Sequence, residues 1–425
     1  MQIHVVAPGD TLYSTAARYS VPVSLLAAWN GLLPPYALAV GQSLGVFTPA
    51  QVYTVQPGDT LFSISRSFQI PILTLLQRNP QLGGTTQLFP GQTLVLAFAE
   101  EGTRPAVLSG YAYPFAEERT LSQILPYATH LVPFTYGIGA DGLPVLLNDE
   151  RLLDLAGRYG ASPLLHLSTL TESGSFSSER ASALLSDRSL WEPLADAIVR
   201  TMTEKGYEGL DVDFEFLGAE NASAYADFVT VLREKVNALG QELTVALAPK
   251  TSDTQRGVLY EGHDYAALGA AADAVLLMTS EWGYTYGPPM AVAPLPSVRR
   301  VLDYAVTRIP PAKILLGFPN YGYDWALPFE AGTTRAQSIS NVYAAELAAQ
   351  VGAEIQFDEN AQAPFFTYTT QEVTHEVWFE DARSCAAKFA LVPEYGFRGV
   401  GYWNFMRPFP VSFLLLRELF ALVKL

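Results

Sequence analysis

The segment Glu208-Gly209-Leu210-Asp211-Val212-Asp213-Phe214-Glu215-Phe216 has residue types and spacing suited to acid chemistry. In an extended strand side chains alternate, so Asp211, Asp213 and Glu215 share one face, and Leu210, Val212, Phe214 and Phe216 the other. If the apolar face packs on helices, the three carboxyls point into an interior, spaced about 6 to 7 Å along the strand. Like charges at that spacing in a low dielectric do not all ionise, so at least one pKa is expected to rise and a proton is held near neutral pH. A protonated carboxyl at the mouth of a barrel is what general acid catalysis requires. The competing reading is an antiparallel strand with a solvated acidic face, disfavoured by neighbouring segments that are apolar on both faces.

Such a strand needs a frame. From about residue 101 onward, short apolar runs alternate with amphipathic stretches, and strands are expected over 107–113, 130–136, 163–168, 209–215, 243–248, 274–279, 313–319 and 398–403. Helices fall between most of them, for example 225–239 and 298–308. Eight βα repeats predict an α/β fold, a (β/α)8 TIM barrel with parallel strands. The long interval between strands seven and eight is expected to hold an inserted helix (340–351) and a hairpin (365–368 with 376–379) above the barrel mouth. The apolar end, 413–425, interrupted by Arg417 and Glu418, reads as a terminal helix packed on the core rather than a bilayer span.

Ahead of the barrel the sequence repeats itself. Val6-Ala7-Pro8-Gly9-Asp10-Thr11-Leu12 returns as Val55-Gln56-Pro57-Gly58-Asp59-Thr60-Leu61; Val21-Pro22 returns as Ile70-Pro71, Asn30 as Asn79, and Gly41-Gln42-Ser43-Leu44 as Gly91-Gln92-Thr93-Leu94. Each copy predicts a βααβ unit: strand (4–6, 52–55), helix (12–19, 61–68), helix (24–29, 72–78) and a closing strand at Gly-Gln-x-Leu. Asp10 and Asp59 are expected to N-cap the first helices. The implied division is 1–48, 50–98 and 101–425.

Composition limits the function. Hydrophobic residues make up 49% and charged ones 16%, which excludes a largely disordered chain. With 26 Lys plus Arg against 42 Asp plus Glu, the formal charge of −16 argues against nucleic-acid or anionic-membrane partners. One cysteine, Cys385, excludes an internal disulfide framework, and five scattered histidines show no zinc-site spacing, so neither metal nor cofactor is expected. The start, Met1-Gln2-Ile3-His4-Val5, has no signal-peptide pattern. A monomer is expected.

The repeated landmarks resemble the LysM module, a small fold that recognises N-acetylglucosamine in peptidoglycan and chitin. The resemblance implies sugar grooves between Gly9-Asp10-Thr11-Leu12 and the loop 30–33, and between Gly58-Asp59-Thr60-Leu61 and the loop at 79–82. Gly9, Asp10, Thr11 and Asn30, with Gly58, Asp59, Thr60 and Asn79, are the candidate sugar-binding residues, unless the aspartates are only caps and the glycines only turns. The resemblance leaves the grip on the acetamido sugar to backbone groups. Two modules on a repetitive polymer raise the effective concentration of each.

The Asp-x-Asp-x-Glu strand resembles the signature of glycoside hydrolase family 18. Met278-Thr279-Ser280-Glu281-Trp282 stands where that family has Met-x-Tyr-Asp on strand six, and Gly401-Tyr402-Trp403 ends strand eight. Ala248-Pro249-Lys250-Thr251, Tyr321-Gly322-Tyr323-Asp324-Trp325 and the run from Trp403-Asn404 to Pro410 are similar to the spore-germination branch, LysM-bearing N-acetylglucosaminidases of cortex peptidoglycan. The resemblance implies Glu215 as acid and base, the substrate's 2-acetamido oxygen as nucleophile with net retention, and Asp213 on the acetamido N–H with Asp211 behind it sharing a proton. It also implies Trp403 as floor of the −1 sugar, a reading weighed against a core tryptophan, with Glu281, Met278, Tyr321 and Tyr284 binding substrate.

Two departures stand out. Glu208 replaces the first family aspartate. Ser280 replaces the tyrosine that donates to the acetamido carbonyl, so the expectation is that a water bridges, that Tyr284 or Tyr286 substitutes, or that the rate is reduced; loss of one such donor typically costs about 3 kcal/mol. The expected function is a peptidoglycan N-acetylglucosaminidase in the spore, made in the cytoplasm and laid onto the coat or cortex. The alternatives are chitinase or muramidase specificity, or a non-catalytic sugar-binding coat protein.

Overall fold

The computed structural model describes residues 1–424. Eight strands form a closed parallel barrel: β1 (Pro105–Ala112), β2 (His130–Pro133), β3 (Ser162–Ser168), β4 (Gly209–Asp213), β5 (Glu242–Leu247), β6 (Ala274–Leu277), β7 (Ile314–Pro319) and β8 (Gly399–Trp403). Neighbours in the sheet are neighbours in sequence, and β8 pairs with β1 through Gly399↔Val107 to Tyr402↔Gly110, which closes it. All eight strands lie where the hydrophobic runs place them. The helices between them bury apolar stripes on the outer wall, as in Trp191–Lys205 and Ala222–Asn237; the first stops where Gly206 adopts φ 79°.

The segment between β7 and β8 is larger than a helix and a hairpin. The expected helix is Asn341–Val351, and the expected hairpin pairs Phe365 with Trp378 and Tyr368 with His375. They belong to a five-stranded antiparallel sheet that also recruits Gly322–Leu327, Gln337–Ile339 and Gln356–Asp358. Two of these strands have only three residues, too short to show a period. The third contains Tyr321's neighbours Tyr323 and Trp325, which bury against Trp378 and the underside of the barrel mouth. The terminal helix spans Pro410–Leu419 and a short strand, Ala421–Leu422, follows it; Leu425 lies outside the described residues. Among the described residues no helix is long and apolar enough to cross a membrane.

Both leading repeats are βααβ units, with helices Leu12–Arg18, Val23–Trp29, Leu61–Phe68 and Ile72–Arg78. Asp10 and Asp59 are not their N-caps. Asp10 accepts instead from the Ala7 N–H (3.0 Å) and contacts His4; Asp59 accepts from the Gln56 N–H and the Tyr53 hydroxyl, both at 2.7 Å. With the carboxylate turned back across the Pro-Gly turn, the next residue takes the cap. Thr11 and Thr60 are extended and exchange hydrogen bonds with Ser14 and Ser63 in capping boxes.

The modules are seated on the barrel rather than strung from it. The terminal helix packs on Val23–Trp29 and Ile72–Arg78, and Trp29, Phe47 and Phe98 cluster at the joint between the modules. Ile355 N–H donates to Val40 O (2.8 Å), Arg383 to Gly41 O (3.1 Å), and Tyr159 OH to Gly84 O (2.9 Å). Glu101 is held between Arg78 and Arg417 at 2.7 Å from each.

Asn79 is fully buried; its amide donates to Leu75 O and Val95 O and its oxygen accepts from Val95 N–H at 2.7 Å. Replacing it with alanine strands these backbone groups. Asn79→Ala is expected to cost about 3 kcal/mol locally, seen as roughly hundredfold faster hydrogen exchange at the Val95 amide; unchanged exchange would contradict this role.

Candidate active site

The strand-four carboxyls face inward because Leu210, Val212 and Phe214 are fully buried on the opposite side, Phe214 stacking on Tyr225 at 5.4 Å. Regular pairing ends at Asp213, so Glu215 stands beyond the strand, at the barrel mouth. Phe216 does not continue the outward apolar face. Its φ of 55° breaks the alternation and turns the ring, 46% exposed, onto the cavity wall.

That cavity has a volume of about 740 Å³, enough for more than one sugar ring. Asp213, Glu215, Met278, Ser280, Glu281 and Trp403 all line it, from the ends of three strands, β4, β6 and β8. Trp403 is half-buried, with Phe134 at 5.0 Å and Tyr111 at 5.3 Å behind it, so one face is left to the cavity and it is not a plain core tryptophan. No lysine or arginine lines the cavity among the described residues.

The acids differ in environment. Asp211 is buried and bound: Tyr111 OH donates to its Oδ2 at 2.9 Å and His166 Nδ1 lies 2.7 Å from the same oxygen. These bonds tie Asp211 to β1 and β3, and its charge adds to the rise of the Asp213 carboxyl. Burial, then the Glu215 charge, push the Asp213 carboxyl well above the usual range, with His166 opposing; its Oδ1 is buried without a partner. Burial, then the Glu281 charge, raise Glu215. Burial also raises Glu281, whose carboxylate accepts from Tyr321 OH and, at 3.4 Å, from Tyr323 OH. Glu281 sits at φ 71°, a conformation costing about 1 to 3 kcal/mol for a non-glycine residue, so the surrounding contacts fix it in place.

Other expected residues are placed differently. Tyr321 is buried behind Glu281 and acts on it rather than on the cavity. Tyr284 and Tyr286 are exposed and do not line the cavity, so neither stands in for the tyrosine lost at Ser280; the lining tyrosines are Tyr111, Tyr113, Tyr260 and Tyr323. In the modules, Asp10, Thr11 and Asn30, and their counterparts Asp59, Thr60 and Asn79, are engaged in shaping loops. Gly9 and Gly58 turn at φ 87° and 90°. These side chains hold the grooves in shape and leave backbone and exposed apolar groups such as Tyr13, Leu33 and Phe62 at the surface.

Tyr111, Phe134, His166 and Tyr323 escape a reading by residue type. Each sits in a run apolar on both faces or next to glycine, where no period marks the inward side. The one signal was His166, the single polar interruption in Leu164-Leu165-His166-Leu167.

A closed (β/α)8 barrel with inward carboxyls on β4 and an aromatic floor from β8 defines a glycoside hydrolase. Residues 170–407 match the model for glycosyl hydrolases family 18, and 4–46 and 53–97 match the LysM domain. The chain belongs to glycosyl hydrolases family 18 and carries two LysM modules. It is 39% identical to the cortical fragment-lytic enzyme of Bacillus subtilis (strain 168), over 100% of this chain and 99% of that protein. The crystal structure of the Bacillus cereus spore cortex-lytic enzyme SleL superposes with a TM-score of 0.84 at 36% identity, covering 100% of this chain and 98% of that one. A chitinase from Chromobacterium violaceum superposes with a TM-score of 0.67 at 26% identity, covering 74% and 99%.

Burial and then the Glu281 charge raise the Glu215 carboxyl, and with Glu215 as the expected general acid, activity falls as pH rises through its pKa. Glu281→Gln removes that charge and lowers the Glu215 pKa. The alkaline limb of the kcat profile should move to lower pH; a limb that stays in place would refute the coupling.

Proposed function

We propose that the enzyme hydrolyses β-linked N-acetylglucosamine bonds in peptidoglycan, with spore cortex fragments as substrate and the 2-acetamido group as nucleophile. The observation that carries this reading is the position of Glu215, a carboxyl held toward its protonated form at the rim of a cavity floored by Trp403, with Asp213 on the same face behind it. Glu215 gives its proton to the glycosidic oxygen as the C1–O bond breaks. The acetamido oxygen closes on C1, and Asp213 steadies the acetamido N–H. Water activated by the Glu215 carboxylate then opens the ring with net retention, outside the paired-carboxylate scheme.

The substrate class is supported by the cavity and by the relatives. Aromatic faces and carboxyls without a cation suit an uncharged sugar rather than an anionic one. The LysM modules, seated on the barrel, hold the polymer near the cleft, and the relatives are named for spore cortex lysis. The site of action is accordingly the spore, with the protein bound to its peptidoglycan.

Glu215→Gln keeps shape and removes the proton. It is expected to lower kcat by about 10² to 10⁴-fold while co-sedimentation with insoluble peptidoglycan is unchanged. Mass spectrometry of digested cortex should find N-acetylglucosamine at the new reducing ends. Muramic reducing ends would redirect the specificity, and full turnover by the variant would overturn the assignment.

A further inference from the structure

His166 is completely buried at the centre of the barrel, on β3, and nothing in the mechanism above uses it. Phe134 stacks on its ring at 4.9 Å and Tyr111 meets it edge-on at 5.2 Å, so the imidazole is fixed in orientation. Its Nδ1 is 2.7 Å from Asp211 Oδ2. An ionised carboxylate only accepts, so Nδ1 carries a hydrogen, and in the neutral ring Nε2 is then a bare acceptor. That Nε2 is buried, has no hydrogen-bond partner, and lies 3.9 Å from Asp213 Oδ2. The other oxygen of that carboxyl, Asp213 Oδ1, is also buried and unpartnered. A bare ring nitrogen that faces a buried carboxyl across 3.9 Å, with an unsatisfied atom on each group, calls for an explanation.

We infer that His166 is a positioning residue that takes up the proton of Asp213 when Asp213 becomes the carboxylate facing the substrate's acetamido N–H. The step breaks the Asp213 Oδ2–H bond and forms a His166 Nε2–H bond. A neutral acid and a neutral imidazole become a carboxylate and an imidazolium, so net charge is conserved and no water has to enter. A torsional change at Asp213 of about 1 Å closes the gap to hydrogen-bond distance. The imidazolium then sits between two carboxylates, Asp211 at Nδ1 and Asp213 at Nε2, and returns the proton when product leaves. The titratable groups around the ring are Tyr111 on β1, Asp211 and Asp213 on β4 and, beyond them, Glu215. Burial and the adjoining carboxylates hold the Tyr111 hydroxyl protonated, which leaves His166 as the base in contact with Asp213.

The inference rests on the proposed role of Asp213, and the test separates the two. In the full-length Glu215→Gln protein labelled with ¹⁵N-histidine, the His166 signals are identified by their absence when His166→Asn is added, and are titrated with and without a saturating chitooligosaccharide. Binding is expected to raise the His166 midpoint by about one pH unit or more, and adding Asp213→Asn is expected to abolish that rise. A midpoint that stays in place on binding overturns the inference. In kinetics on a fluorogenic chitooligosaccharide, His166→Asn is expected to lower kcat about tenfold or more with KM within about twofold. Without the internal acceptor, Asp213 must lose its proton to solvent, so the acid limb of kcat moves to higher pH. A uniform loss with the limb in place would mean that His166 only supports the fold. Failure of the wild type to cut the chitooligosaccharide would overturn the proposed substrate and, with it, the trigger of the transfer, whereas turnover without the His166 shift would overturn the inference alone.

Discussion

A closed parallel barrel admits no bulk water along its axis, so three carboxyls sent inward by one strand have to be hydrogen-bonded, paired or kept protonated by whatever the other strands supply. The interior of this molecule is arranged around that requirement. Asp211, deepest of the three, takes the hydroxyl of Tyr111 and the imidazole of His166. Asp213 has only like-charged neighbours and a more distant imidazole, and its carboxyl rises. Glu215, released from the sheet at the mouth, is governed by burial and by Glu281 across the cavity. One alternating strand thus yields three acids with three environments, which is how chemically similar groups come to hold different roles.

The same requirement explains the elements above the mouth. Glu281 holds a left-handed backbone conformation, and while burial raises its carboxyl, Tyr321 and Tyr323, carried by the chain leaving β7, donate to it and oppose that rise. Those tyrosines are anchored through Trp325 and Trp378 in the five-stranded inserted sheet. Arg407, in the loop after β8, reaches across to Ser338 and Ile339 and ties that loop to the inserted sheet. A further link runs outward: Val40 bonds to Ile355, and Arg383 to Gly41, so the first module is joined to the insertion as well as to the barrel. First module, inserted sheet and barrel are thus joined by direct hydrogen bonds.

Parts of this were legible because they repeat or alternate. The duplicated Pro-Gly-Asp-Thr-Leu marked two modules, and the eight apolar runs marked eight strands, each found in place. The acidic face of β4 followed from period two alone. The misreadings have local causes. Asp10 and Asp59 have the right chemistry for caps, but their carboxylates satisfy the preceding turn, a choice set by which N–H lies nearer. Phe216 was assigned outward by alternation, and a positive φ one residue past Glu215 reversed it. Three strands of the inserted sheet are short or aromatic, and pairing rather than internal pattern makes them strands: Gly322–Leu327 on Val373–Trp378, Gln356–Asp358 on Ala363–Thr370, and Gln337–Ile339 on Gly322–Leu327.

By itself the sequence determined the fold class, the two modules, and the column of acids, since these depend on periodicity and on which residues can be buried. Tertiary structure decided the partners of those acids. Tyr111, His166, Glu281 and Tyr321 come from four separate segments, and nothing in their local spacing states that they converge. A pKa, a hydrogen bond or a neutralising charge depends on distance in space, and only closure of the barrel and docking of the inserted sheet bring those distances below 4 Å.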